Sequence, residues 1–157
     1  MAKAFTHYWG REACQALEVD RKRRGRTELD HTAGNLFERR GVHVGDTVYA
    51  VTIRRGKMYL IGRMHVERVL HSTKQASQML GYEVWDASDH LLAAPHDRTE
   101  QRLDRQVPES MVRKLHFESN AGPQGLKFAG PGELDRQTLR GVRELTSTSA
   151  MLLDELL

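Results

Sequence analysis

With 157 residues, 39% hydrophobic and 29% charged, the chain has the size of one domain and a composition that excludes intrinsic disorder. No apolar run approaches the roughly 20 residues that span a bilayer, the first residues form no apolar leader, and one cysteine, Cys14, excludes an internal disulfide or a cysteine-rich zinc site. The net charge of +3 conceals a division, since residues 1–79 hold 15 Lys/Arg against 8 Asp/Glu while residues 80–157 hold 9 against 13. The expectation is a single cytoplasmic domain, 1–157, without membrane contact or cofactor, whose basic half suits a polyanion.

In chain order, Ala4–Trp9 alternates as a first strand, and Arg11–Asp20 gathers Ala13, Cys14 and Leu17 on one helical face. Arg21-Lys22-Arg23-Arg24-Gly25-Arg26 crowds five cations into six residues. Such a run repels itself and is most at ease beside phosphates, so it reads as the start of an exposed loop reaching Asn35. Leu36-Phe37 supplies at most a helical turn. A Gly45-Asp46 turn then opens a strand at Val48–Ile53, and Arg54-Arg55-Gly56-Lys57 links it to a return strand at Met58–Val69 as a hairpin. Strict alternation in the return strand puts Tyr59, Ile61, Arg63, His65 and Glu67 on one side. Met58, Leu60, Gly62, Met64 and Val66 fall on the other, with Gly62 marking a bulge or a close approach.

Beyond the hairpin, His71–Leu80 reads as a helix capped by Ser72 or Thr73 and closed by Gly81. Tyr82–Trp85 reads as a strand, and Asp86–Arg105 has no clear pattern. Pro108 opens a short apolar helix, and strands follow at Leu115–Phe117 and Leu126–Phe128 among Gly-Pro turns. Two closing helices are predicted, Arg136–Leu145 and Ser149–Leu156. The sum is an α+β fold of mostly antiparallel, barrel-like strands with peripheral helices.

Trp9-Gly10, Asn35-Leu36-Phe37, the Gly45-Asp46 turn opening a strand, and Ile61-Gly62 in the return strand together resemble the EVE branch of the PUA-like superfamily. The close resemblance spans residues 31–69, and the remainder agrees in the order of its elements. It implies a PUA-like pseudo-barrel and a reader of DNA or RNA that takes a flipped base, often a modified one, into a pocket beside the barrel. The matching positions are Trp9, Gly10, Asn35 and the Val48–Thr52 strand. Gly34 stands where many members carry arginine.

A flipped base needs an aromatic plane and polar groups at its edge. Among Tyr8, Trp9, Tyr49, Tyr82 and Trp85, the two tryptophans are favoured, each at a strand end beside a polar loop. Asn35 can donate and accept at once, and Asp30 and His31 belong to the loop that would border a pocket. The base-pocket candidates are therefore Trp9, Gly10, Asn35, Tyr49, Thr52 and Trp85. The phosphate-binding candidates are Arg21, Lys22, Arg23, Arg24 and Arg26, then Arg39 and Arg40, then Arg54, Arg55 and Lys57.

Signals for an enzyme are poor. His65-Val66-Glu67 lacks the Pro-Cys-x-x-Cys partner of zinc deaminases, and neither a metal-binding histidine pair nor a phosphate-cradling loop is present. A small hydrolase of the related ASCH type acting on a modified nucleoside is the alternative, although its Gly-x-Lys-x-x-Glu-x-Arg signature is missing. A third reading is a specificity module that recruits a nuclease or another protein partner through the apolar tail Met151–Leu157.

Overall fold

The computed structural model describes residues 1–157. Its elements are β1 (Ala4–Tyr8), α1 (Arg11–Arg24), β2 (His31–Gly34), β3 (Thr47–Arg54), β4 (Lys57–Leu70), α2 (Thr73–Leu80), β5 (Asp89–Ala93) and α3 (Glu109–Val112). They continue with β6 (His116–Phe117), β7 (Gln124–Gly125), β8 (Phe128–Gly130), β9 (Glu133–Leu134), β10 (Val142–Leu145) and α4 (Ser147–Asp154). Eight strands form one curled sheet in the order β2-β5-β4-β3-β1-β10-β6-β7, and β8 and β9 make a separate ribbon. In the large sheet only β1 on β3 is parallel, so the architecture is an α+β half-barrel with mixed strands and four helices. No helix is long and apolar enough to cross a membrane.

Both faces of the sheet are covered, and β3 shows why its sequence is apolar at nearly every position. Val48 and Ala50 enter one core with Phe5, Trp9 and Leu17. Tyr49 and Val51 enter a second with Leu115, Phe117 and Leu153. The hairpin tip is tighter than a four-residue link: Arg54 pairs with Lys57, and Arg55 (φ 52°) and Gly56 (φ 76°) make a two-residue turn with both φ positive.

The return strand departs from strict alternation. Ala50 pairs with Gly62 but Val51 pairs with Leu60, which leaves Ile61 as an extra residue, a bulge. Met58 and Leu60 consequently lie in the second core while Met64 and Val66 lie in the first. Gly62 is also a close approach, since a Cβ there would stand 3.1 Å from Thr99 Oγ1 and 3.3 Å from Leu29 Cβ.

Five sequence-based assignments change. The basic run is helical as far as Arg24, because α1 continues to a cap at Gly25 (φ 77°) whose N–H reaches Arg21 O at 2.8 Å, and cations in a last turn favour the helix dipole. The stretch assigned to a loop contains β2, and the unpatterned stretch contains β5. Tyr82–Trp85 joins no sheet; it is held by side chains, with Trp85 Nε1 donating to Ala33 O at 3.2 Å. Arg136–Leu145 is not a helix, because Gly141 turns the chain at φ 77° and Val142–Leu145 pairs with β1 as a strand. The helix at α2 is as expected: Ser72 Oγ accepts from Gln75 N at 3.2 Å and Gly81 closes the last turn left-handed.

Candidate functional site

Where β1 ends, Trp9 is held by its backbone. Its N–H donates to Val51 O at 2.8 Å, and its carbonyl accepts from Thr52 Oγ1 at 2.8 Å. Gly10 then opens α1 in extended backbone, with open space where a Cβ would stand. The indole is 4% exposed and donates from Nε1 to Thr32 Oγ1 at 3.0 Å. Across from it Trp85, 40% exposed, meets the Trp9 ring edge-to-face at 5.7 Å and the His31 ring at 5.1 Å. These rings, with Leu17, Asp30, Tyr82 and Gln101, wall a cleft of about 300 Å³ between α1, the start of β2 and the 82–85 segment. That volume is at the lower end of small-ligand sites.

The polar side of the cleft is ordered in detail. Tyr82 donates its hydroxyl proton to Asp30 Oδ1 at 2.7 Å, and burial together with that carboxylate pushes the phenol pKa well above its usual range. Arg24 lies over the Tyr82 ring at 5.4 Å while Nε and Nη2 clamp Asp20 at 2.7 and 2.6 Å. Gln101 donates Nε2–H to Thr27 Oγ1 at 2.9 Å.

Behind the cleft lie three buried histidines. His31 Nε2 is 2.9 Å from His90 Nδ1, and His90 Nε2 is 2.8 Å from Thr73 Oγ1, which also lies 2.8 Å from Asp86 Oδ1. Burial, then the fields of His90 and His7, depress the His31 pKa to about 3. His7, buried against Phe37 and 2.7 Å from Thr32 Oγ1, falls to about 4 through burial. All three are neutral near pH 7, and they do not converge as metal ligands.

The structure brings only some sequence candidates together. Trp9 and Trp85 share the cleft, and Asp30, His31 and Tyr82 line it. Asn35 is exposed and spends Oδ1 on Ser88 N at 2.8 Å, which ties two loops. Tyr49 lies in the second core, its hydroxyl donating to Asp154 Oδ1 at 2.6 Å. Thr52 reaches the cleft only through the Trp9 carbonyl.

Among the cations, Arg21 ties α1 to Gln101 O and Glu100, and Lys57 donates to Gly132 O at 2.5 Å. Lys22 and Arg23 are exposed on the same helix end, and Arg26 lies 4.0 Å from Glu100. Arg54 shares a surface hollow with Arg21 and Lys22, and Arg55 stands exposed at the hairpin tip. Arg39 and Arg40 lie elsewhere, in a groove of about 740 Å³. There they are joined by Lys127, Arg140 and Arg143 from the C-terminal half. Arg143 packs over the Phe117 ring at 4.1 Å and donates to Thr138 O at 2.6 Å. Burial, then the nearby Arg40 charge, lowers its pKa. Sequence reading missed these three because net acidity hid them, and no local motif groups them.

No protein-family model, no curated protein and no solved structure matches this chain.

Proposed function

We propose that this protein is a non-enzymatic reader of nucleic acid on a PUA-like half-barrel, and that the Trp9–Trp85 cleft accepts a flipped, modified base. The observation that carries the reading is the cleft itself, an exposed indole set against a buried one, with a polar wall, beside the cationic end of α1. A base on Trp85 exchanges exposed indole surface for stacking, worth about 1–3 kcal/mol. Lys22, Arg23 and Arg26, exposed on and just past the end of the same helix, supply cations for the flanking phosphates, and the Arg39–Arg40 groove offers a second stretch of positive field.

The test is titration of single- and double-stranded DNA and RNA, each with and without modified bases, at low and moderate salt. The reading expects affinity that falls with salt and a preference among bases, with quenched tryptophan emission. Absence of binding at low salt, or binding indifferent to base and salt alike, refutes it.

A further inference from the structure

The directions of the hydrogen bonds around the cleft specify what its ligand must bring. Thr73 has one proton, and both Asp86 Oδ1 at 2.8 Å and Ala87 O at 3.3 Å can only accept it. Its oxygen must then receive the contact at 2.8 Å from His90, so the His90 proton is on Nε2. His90 is fully buried and neutral, which leaves Nδ1 as a bare acceptor for His31 Nε2–H at 2.9 Å. His31 is neutral too, and its remaining nitrogen, Nδ1, is an acceptor with no partner in the protein, on a ring that lines the cleft. The relay Asp86–Thr73–His90–His31 fixes one tautomer at the end of four side chains.

Most donors on the same wall are already committed. Trp9 and Trp85 give their N–H groups to Thr32 and Ala33 O, Tyr82 gives its proton to Asp30, and Gln101 gives its amide to Thr27. Arg24 turns Nε and Nη2 to Asp20, which leaves Nη1 as the guanidinium nitrogen without a protein acceptor. Apart from Arg24 Nη1 and one Gln101 amide proton, what the polar wall offers is acceptors, His31 Nδ1 and the second oxygen of Asp30 among them.

We infer that the cleft selects bases carrying an exocyclic amino group, which donates to His31 Nδ1 and Asp30, and disfavours bases whose edge is a carbonyl. This rests on the base-cleft reading. His31 and Asp30 would touch the ligand, while His90, Thr73 and Asp86 are positioning residues. A carbonyl oxygen turned toward the Asp30 carboxylate would meet like polarity and leave both acceptors unsatisfied. Sites built to hydrogen-bond a substrate group discriminate strongly against an analogue lacking it.

The experiment uses short single-stranded oligonucleotides with one central variable base, adenine against purine and cytosine against pyrimidin-2-one, so that only the amino group changes. Anisotropy gives affinity and tryptophan emission reports occupancy of the cleft. The expected result is about tenfold or more tighter binding of each amino base. Thr73→Val, outside the cleft, should bring that ratio toward one with little change for purine. Nitrogen-15 chemical shifts of the unliganded wild-type protein should show His31 protonated on Nε2, a readout that needs no variant.

Equal affinity for adenine and purine with quenched tryptophan overturns the selectivity and leaves the base-cleft reading standing. No change in tryptophan emission with any base overturns both. A His31 ring protonated on Nδ1, or an unchanged ratio in folded Thr73→Val, overturns the relay.

Discussion

Mild acidification, to about pH 5, is expected to destabilise this protein through two buried histidines. His7 and His31 have folded-state pKa values of about 4 and about 3 against 6.5 for an unperturbed imidazole. Between those limits the unfolded chain binds protons that the folded one refuses, so stability is intact above 6.5 and falls as pH drops through that window. By about pH 5 each histidine has withdrawn about 2 kcal/mol relative to about pH 8, or about 4 kcal/mol together, a large part of the 5–15 kcal/mol typical of a domain.

Geometry gives the same sign. Thr32 Oγ1 accepts from Trp9 Nε1, and the acceptor within reach of its own proton is the neutral His7 Nδ1 at 2.7 Å; a protonated ring would set a second donor against that hydroxyl and leave its proton without this partner. The assay is thermal unfolding followed by circular dichroism from about pH 8 to about pH 5, with an expected fall in Tm of about 8–16 °C at about 2–4 °C per kcal/mol. His7→Asn, compared with itself across the same range, should lose about half of that pH dependence. A Tm that stays level down to about pH 5 would refute the argument that these rings are buried neutral.

Three further outcomes follow from the packing. Trp85→Ala should weaken binding of a preferred base by about 5- to 100-fold, the stacking energy, with a modest fall in Tm because the 40% exposed ring also packs on Trp9 and His31 and donates to Ala33 O; equal losses on all oligonucleotides would count against a base cleft. Gly62→Ala should cost about 1–3 kcal/mol in urea unfolding, because its Cβ would meet Thr99 and Leu29 at 3.1 and 3.3 Å. Replacing Arg39 and Arg40 together with Gln should flatten the salt dependence of nucleic-acid affinity by about two units of log K against log salt if both contact phosphate, and an unchanged slope would remove that groove from the interface.

What was legible in the sequence was whatever obeyed a local rule. The β3–β4 hairpin, the Ser72 cap and the Gly81 stop each carry their chemistry within a few residues. β2 and β5 do not, because their buried positions include His31, Thr32, Asp89 and His90, whose hydrogen bonds make burial tolerable but erase the apolar signature. β10 was misread because Leu139 and Val142 fall three apart, a helical interval, although one lies in a turn before Gly141 and the other in a strand. The bulge at Ile61 reverses sidedness halfway along β4, which strict alternation cannot register. At the cleft, Trp9 and Trp85 stood out by residue type and position, whereas Asp30 and His31 entered only as members of a loop bordering a pocket and were not among the site candidates. The relay behind them joins residues 31, 73, 86 and 90 through contacts made only in the folded sheet.

The position of β1 constrains how the molecule can be built. It lies between β3 and β10, bound to Thr47–Val51 on one side and to Val142–Leu145 on the other. A chain emerging from the ribosome therefore makes β1 well over a hundred residues before Val142–Leu145 can flank its second edge. Until then the β10-facing edge of β1 stays unpaired beside apolar neighbours, the kind of template on which nascent chains pair wrongly. The dominance of contacts between distant residues also predicts slow closure. For this fold the last strand in chain order is a mid-sheet piece, so the sheet cannot close before residue 145 has been made.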